Sequence, residues 1–266
     1  MALRTVFFRL LPLLLLSFSS PASADVLDDI LERGSIRFGV AEFVPWTMKS
    51  ESGELIGFEV DLARKLAKDM GVKAEFTLYP WDEVIPALQS GEIDVLTGGM
   101  SITAERALQV NFTRPTAESG VSIATNIGLT RDIKRLEELN SPEITIAVVN
   151  KTLAHSVTQT FFDKATIEVY PNGTDAGAAV VNGDAHAYLA SLTQARFLAL
   201  NNGDKIDLPI AEPLLASREA IAIKKGEQEL LNFLNSWVTA RRADRWIATT
   251  RDYWFETLEW AEDVAE

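Results

Sequence analysis

Thr97-Gly98-Gly99-Met100-Ser101-Ile102-Thr103-Ala104-Glu105-Arg106 is the stretch around which this chain is organised. The apolar run Ile93 to Leu96 leads into it and reads as a strand. Two glycines then let backbone approach another group closely, small hydroxyl residues follow, and one arginine opens a short helical stretch. Hydroxyls and backbone N–H groups each donate to an oxygen. A guanidinium fork grips both oxygens of a carboxylate, through charge-assisted bonds of about 1.5–3 kcal/mol each. The stretch therefore reads as a carboxylate socket at a strand end, with Arg106, Ser101 and the backbone of Gly99 as its candidate contacts.

Upstream, Ile36 to Val40 reads as a first strand that leaves through Glu42, Phe43 and Pro45. Gly57 to Met70 is an amphipathic helix, Lys73 to Tyr79 alternates as a strand, and Trp81 precedes a helix around Glu83 to Leu88. Strand, helix, strand, helix, strand by residue 97 predicts a parallel sheet covered by helices. Ligands meet such sheets at strand ends, so Phe43 and Trp81 are candidates to sandwich a flat or apolar ligand part.

Downstream, Val121 to Asn126 is expected to cross to a second α/β unit. There Asp132 to Asn140 reads as a charged helix, Ile144 to Val149 as a buried strand, and Thr152 to Phe162 as a helix whose N-terminus faces the cleft. Thr166 to Tyr170, a helix near Asp175 to Val181, and Ala185 to Leu189 keep the rhythm. Ala220 to Lys224 reads as the return strand, and Glu227 to Thr239 and Arg241 to Trp260 as helices rejoining the first unit. The fold expected is α/β: a two-lobe clamshell, each lobe a helix-flanked sheet, joined by two hinge crossings. Residues 25–120 and 216–266 would form one lobe and 121–215 the other.

Composition narrows the function. Met1 to Ala24 carries two arginines, an apolar run from Leu10 to Phe18 and Ala22-Ser23-Ala24 before Asp25, the pattern of a cleavable secretory signal peptide. The apolar run is short for a membrane span. The formal net charge is −13, and −15 without Arg4 and Arg9 of the leader. Such a surface opposes nucleic acid or an anionic membrane as partner. Absence of cysteine removes thiolate catalysis, disulfides and a lipid-carrying thiol. With two histidines, His155 and His186, neither a metal site nor another cofactor is expected, and His186 reads as structural.

Gly-Met-Ser-Ile-Thr-x-x-Arg over 99–106, followed by Val110-Asn111-Phe112-Thr113, resembles the signature of family 3 periplasmic solute receptors, the polar amino-acid-binding proteins of ABC importers. Gly57-Phe58-Glu59-Val60-Asp61-Leu62 is similar to a second block of that family. The resemblance implies a periplasmic clamshell, here expected to be a monomer, that delivers a small carboxylate-bearing solute to ABC permease membrane subunits. It implies that Arg106 clamps an α-carboxylate with help from Ser101, that Phe43 and Trp81 cover the ligand, and that Thr152 assists from the second lobe.

Two departures from the family pattern stand out. Lys151-Thr152-Leu153 keeps one of the two hydroxyls usual after that strand, and Ser191 stands where an aspartate commonly meets the ligand's ammonium. A serine supplies no counter-charge, and a buried ammonium demands one. Glu42 is the candidate substitute, ahead of Asp82 and Asp175; otherwise the ligand is not a standard α-amino acid. The C-terminal Arg245-Trp246 to Tyr253-Trp254-Phe255 also resembles cyclohexadienyl dehydratases, which act on prephenate or arogenate. Gln194 occupies the position of their proton-donating glutamate, and an amide delivers no proton at neutral pH. The expectation is a receptor without catalytic residues, the alternatives being a dehydratase-like enzyme, a receptor feeding a signalling partner, or a structural protein.

Overall fold

The computed structural model describes residues 25–257 and residue 260. The signal peptide expected over 1–24 lies outside the described residues. In chain order the first lobe holds α1 (Val26–Arg33), β1 (Ser35–Val40), β2 (Met48–Lys49), β3 (Leu55–Ile56), α2 (Phe58–Met70), β4 (Lys73–Leu78), α3 (Val84–Ser90), β5 (Val95–Leu96), α4 (Ala104–Ala107) and β6 (Asn111–Phe112). Then β7 (Ala117–Asn126) crosses over. The second lobe continues with α5 (Ile127–Thr130), β8 (Thr145–Val149), α6 (Leu153–Phe161), β9 (Thr166–Tyr170), α7 (Gly173–Asn182), β10 (Ala187–Ser191), α8 (Leu192–Asn201) and β11 (Ile206–Asp207). The chain returns through β12 (Leu215–Glu219) to β13 (Ala222–Ile223), α9 (Gln228–Ala243) and α10 (Trp246–Glu256).

Burial decides the first sheet, whose order is β4-β1-β5-β13-β6. β1 pairs with β4 in parallel, with Phe38 opposite Phe76 and the rings 5.5 Å apart. Phe38, Leu62, Leu66, Ile223 and Leu234 are fully buried in one core, each contributing about 1.5–3 kcal/mol by leaving water. The sheet is mixed rather than purely parallel: β13 runs antiparallel to both β5 and β6. It carries the chain back from the other lobe, so it enters the sheet from the opposite direction.

The second sheet has the order β11-β7-β10-β8-β9, with β12 also on β7. β7 and β12 pair antiparallel from Ala117 opposite Glu219 to Val121 opposite Leu215. These two strands are the two crossings, so the hinge is itself a hydrogen-bonded ribbon. The lobes also meet at the C-terminus, where Trp260 stacks on Phe197 of α8 with centroids 5.4 Å apart.

Two helical expectations change. Residues 132–140 form only a 3-10 turn at Leu136–Leu139, because local bonds compete with a helix: the Lys134 N–H donates to Glu138 Oε2 and Lys134 Nζ to the Arg131 carbonyl. The segment expected as one helix to Trp260 breaks at Arg245, whose φ is 65°, and α10 ends at Glu256. α10 is held to α2 by Trp254 Nε1, which donates to Asp61 Oδ2 at 2.8 Å.

The entry to α2 requires its glycine. The N–H groups of Phe58 and Glu59 donate to the carbonyls of Pro45 and Trp46 at 3.1 and 3.0 Å, which satisfies two otherwise orphaned helix donors. That approach leaves Gly57 at φ +131°, with Trp46 O only 2.3 Å from where a Cβ would stand. Gly57→Ala is therefore expected to lower stability by about 1–3 kcal/mol, read as a shifted urea midpoint; an unchanged midpoint would show that the loop yields freely.

Candidate functional site

The turn that follows β5 builds one wall of the interlobe cleft. Thr103 caps α4 by accepting from the Arg106 N–H at 3.1 Å, which fixes where the arginine side chain leaves the backbone. Arg106 is 9% exposed. Its Nη1 donates to the Ser101 carbonyl at 3.0 Å and its Nη2 crosses the cleft to the Lys151 carbonyl at 3.1 Å. The guanidinium carbon lies 5.6 Å from the Trp81 ring centroid. Burial lowers the Arg106 pKa, with Glu105 opposing. Among the described residues the structure gives this buried cation no ion pair with a carboxylate.

Lys151 is the second lobe's contribution. It stands in left-handed backbone, φ 54°, and its carbonyl accepts from Trp81 Nε1 at 3.2 Å as well as from Arg106. Two donors from one lobe thus converge on one carbonyl of the other. Lys151 Nζ and Asp82 add an exposed pair at 3.6 Å, worth little in solvent.

The other expected residues fall into three groups. Phe43, Trp81, Gly99, Ser101, Arg106, Thr152 and Ser191 all line the cleft. Within it, Phe43 and Trp81 are stacked at 6.0 Å, the spacing of two rings that touch each other, so they form a continuous wall rather than a slot for an interposed ring. The Gly99 N–H donates to buried Glu59 Oε1 at 3.2 Å, so it is engaged inside the protein. Thr152 and Ser191 both cap helices. Thr152 Oγ1 accepts from the His155 N–H and donates to the Val149 carbonyl, and Ser191 Oγ accepts from the Gln194 N–H. Glu42 is exposed and faces neighbouring openings beside Val44 and Gly173 rather than the cleft that holds Arg106. Asp175 is exposed at the start of α7, bonded to Asn172.

His186 is structural, its Nδ1 accepting from the Thr145 N–H at 3.1 Å. Gln194 is buried, and its Oε1 accepts from Tyr188 Oη at 3.2 Å.

Bacterial extracellular solute-binding proteins, family 3, is the family whose model matches residues 36–257. The chain belongs to that family. It is 24% identical over 244 residues to the L-cystine-binding protein of Escherichia coli, covering 90% of each chain. It is 23% identical over 244 residues to the cyclohexadienyl dehydratase of Pseudomonas aeruginosa, covering 91% of each. Among solved structures, an ancestral amino-acid-binding protein that is a precursor of cyclohexadienyl dehydratase superposes with a TM-score of 0.81 at 34% identity, covering 87% of this chain and all of that one. Family 3 members are periplasmic or extracellular binding proteins of amino-acid ABC transport, and an enzyme also occurs among the relatives.

In this family 3 member the hinge supplies what sequence reasoning missed. Ser119 and Gly120 of β7 and Ser217 and Glu219 of β12 also line the cleft. Glu219 is 2% exposed, forms a bridge pair with Ser101 and accepts from Trp46 Nε1 at 2.8 Å. Trp46 in turn lies against Gly99, where a Cβ would come within 2.7 Å of its indole. Glu59, Gly99, Trp46 and Glu219 thus form one buried floor. Burial pushes the Glu59 carboxyl up to about 7, opposed by the Gly99 hydrogen bond. Burial pushes Glu219 up to about 8, opposed by Trp46 and reinforced by the like charge of Glu59. An acid ahead of the apolar stretch 220–223 carries no signal in so acidic a sequence, so only the fold finds Glu219.

These shifts set a pH dependence. A carboxyl whose pKa is raised by folding stabilises the native state fully below its unfolded value, about 4.3, and loses that contribution as pH climbs to its folded value. The melting temperature is expected to fall between about pH 5 and about pH 8, and Glu59→Gln should flatten the curve over that window in scanning calorimetry. An equally steep curve in the variant would mean that Glu59 is ionised in the fold throughout.

Proposed function

We propose that this protein is the extracytoplasmic receptor of an ABC importer and captures an amino acid, or a close carboxylate-bearing derivative, by closure of its two lobes. The observation that carries the reading is Arg106, a buried guanidinium in the interlobe cleft whose fork reaches carbonyl oxygens and, among the described residues, no carboxylate. A desolvated cation without an anion is costly, and an entering carboxylate relieves that cost through two parallel charge-assisted bonds. Ser101 stands beside it, and Phe43 and Trp81 form an apolar wall for the rest of the ligand.

The same contacts explain closure. Lys151 O binds Arg106 and Trp81 across the gap, so residues of the ligand wall also hold the lobes together. A closed cleft lowers the local dielectric and strengthens the polar contacts inside it. Residues 25–120 and 216–266 would move as one lobe and 121–215 as the other, about the β7–β12 ribbon. The relatives' names support an amino-acid ligand. The dehydratase reading is disfavoured by Gln194, which occupies the place that the resemblance gives to the proton donor.

A thermal-shift screen of the purified chain against amino acids, their derivatives and prephenate tests the reading. A ligand at a hundred times its dissociation constant adds about 2.7 kcal/mol of stability. Arg106→Ala is then expected to weaken binding of the identified ligand by about 2–5 kcal/mol in calorimetric titration. A loss under about half a kcal/mol would remove Arg106 from the site, and conversion of prephenate to phenylpyruvate would replace the receptor by an enzyme.

A further inference from the structure

Arg106 lines two adjoining openings: an outer one shared with Asp82, Glu105 and Lys151, and the inner cleft shared with Phe43, Trp81 and Ser101, whose acid among the described residues is Glu219. Ser101 connects the two: its carbonyl accepts from Arg106 Nη1 and its backbone is the bridge partner of Glu219. Arg106 and Glu219 make no ion pair with each other. A base and an ionisable acid linked through one residue suit the zwitterionic end of an α-amino acid, whose ammonium and carboxylate share one carbon. Glu42 faces other openings, and the Ser191 hydroxyl is engaged as a helix cap.

We propose that Glu219, on the hinge strand β12, is the counter-charge for the ligand's ammonium group, so that the cleft selects zwitterionic amino acids over carboxylates that lack the amine. This rests on the receptor reading above and goes further, assigning the role that Ser191 cannot fill to a residue outside the second lobe's ligand loops. Position strengthens the assignment. Glu219 is held by Trp46 and sits on the ribbon about which the lobes turn, so an ion pair formed there couples ligand entry to the hinge.

The proposal has a protonic consequence. The groups facing Glu219 are Glu59 from α2, which raises its pKa; Trp46 Nε1 and Ser119 of β7, which lower it; and Arg251 of α10, which also lowers it. Burial outweighs the lowering influences and holds the carboxyl protonated at neutral pH, up to about 8. To pair with an ammonium it must ionise. Its O–H bond breaks, the electron pair stays on the carboxylate oxygen and the proton passes to solvent. Amino-acid capture at pH 7 should therefore release a proton, and affinity should rise with pH until Glu219 is ionised in the free protein.

The experiment titrates the wild-type chain at pH 7, in two buffers of different ionisation enthalpy, with the twenty L-amino acids, and then with the 2-hydroxy analogue of the best binder. Expected are proton release on binding the amino acid and an affinity at least about 100-fold weaker for the hydroxy acid. Glu219→Gln should abolish the release and narrow that preference to under about 10-fold while still binding the hydroxy acid. The release measured on the wild type needs no variant, so a Glu219→Gln chain that fails to fold leaves the test intact. Amino-acid binding without proton release, or with undiminished preference in the variant, would overturn the role of Glu219 and leave the receptor reading standing. Binding of no member of the panel would overturn both.

Discussion

A guanidinium buried between two lobes, with no carboxylate among the described residues to pair with, is the constraint on which this structure turns. Arg106 is kept out of water by the turn that presents it, by the face of Trp81 and by the opposite lobe, and its fork is held by carbonyls from both sides. Carbonyl dipoles offset only part of the desolvation of a full charge. The remainder is a cost that an anion entering the cleft would offset. A hydrophobic replacement at this position would carry no such cost.

The floor beneath the arginine shows how the surrounding elements are tied to it. Gly99 is pinned by Glu59 from α2 and pressed by Trp46, whose N–H reaches Glu219 on the returning hinge strand. A loop, a helix, a strand-end turn and a crossing strand meet in four residues. Two acids in so dry a place stay neutral most easily, and of the two Glu219 also lines the cleft. The C-terminal segment adds a second tie between the lobes, with Trp260 against Phe197, while Phe255 packs on Trp46 within the first lobe. The lobes thus touch at the back of the molecule as well as across the cleft.

Much of the frame was legible in the residues because it depends on period. The strands at 35–40 and 145–149 and the helix at 58–70 announce themselves by apolar spacing, and their alternation implies layers. Less regular parts escaped. Residues 132–140 have apolar spacing compatible with a helix, yet their charged side chains bind backbone locally and leave a single 3-10 turn. The hydroxyls of Thr152 and Ser191 suit either a ligand or a helix cap, and sequence does not distinguish the two uses. Glu42 is adjacent in sequence to a wall residue, but the chain there directs it elsewhere.

What the sequence determined by itself is local. Ten consecutive residues place a strand end, a close-approach glycine and a capped arginine in order, so the bonds from Thr103 and Ser101 to Arg106 span only a few positions. Tertiary structure alone decided which charges share the cleft. Glu219 and Lys151 come from strands and turns remote in the chain, and the pairing of β12 with β7 and the approach of the second lobe bring them to Arg106. Burial, unlike periodicity, is a property of the assembled whole. For that reason the state of an acid, ionised at a surface or neutral in a floor, could be known only once the fold had closed around it.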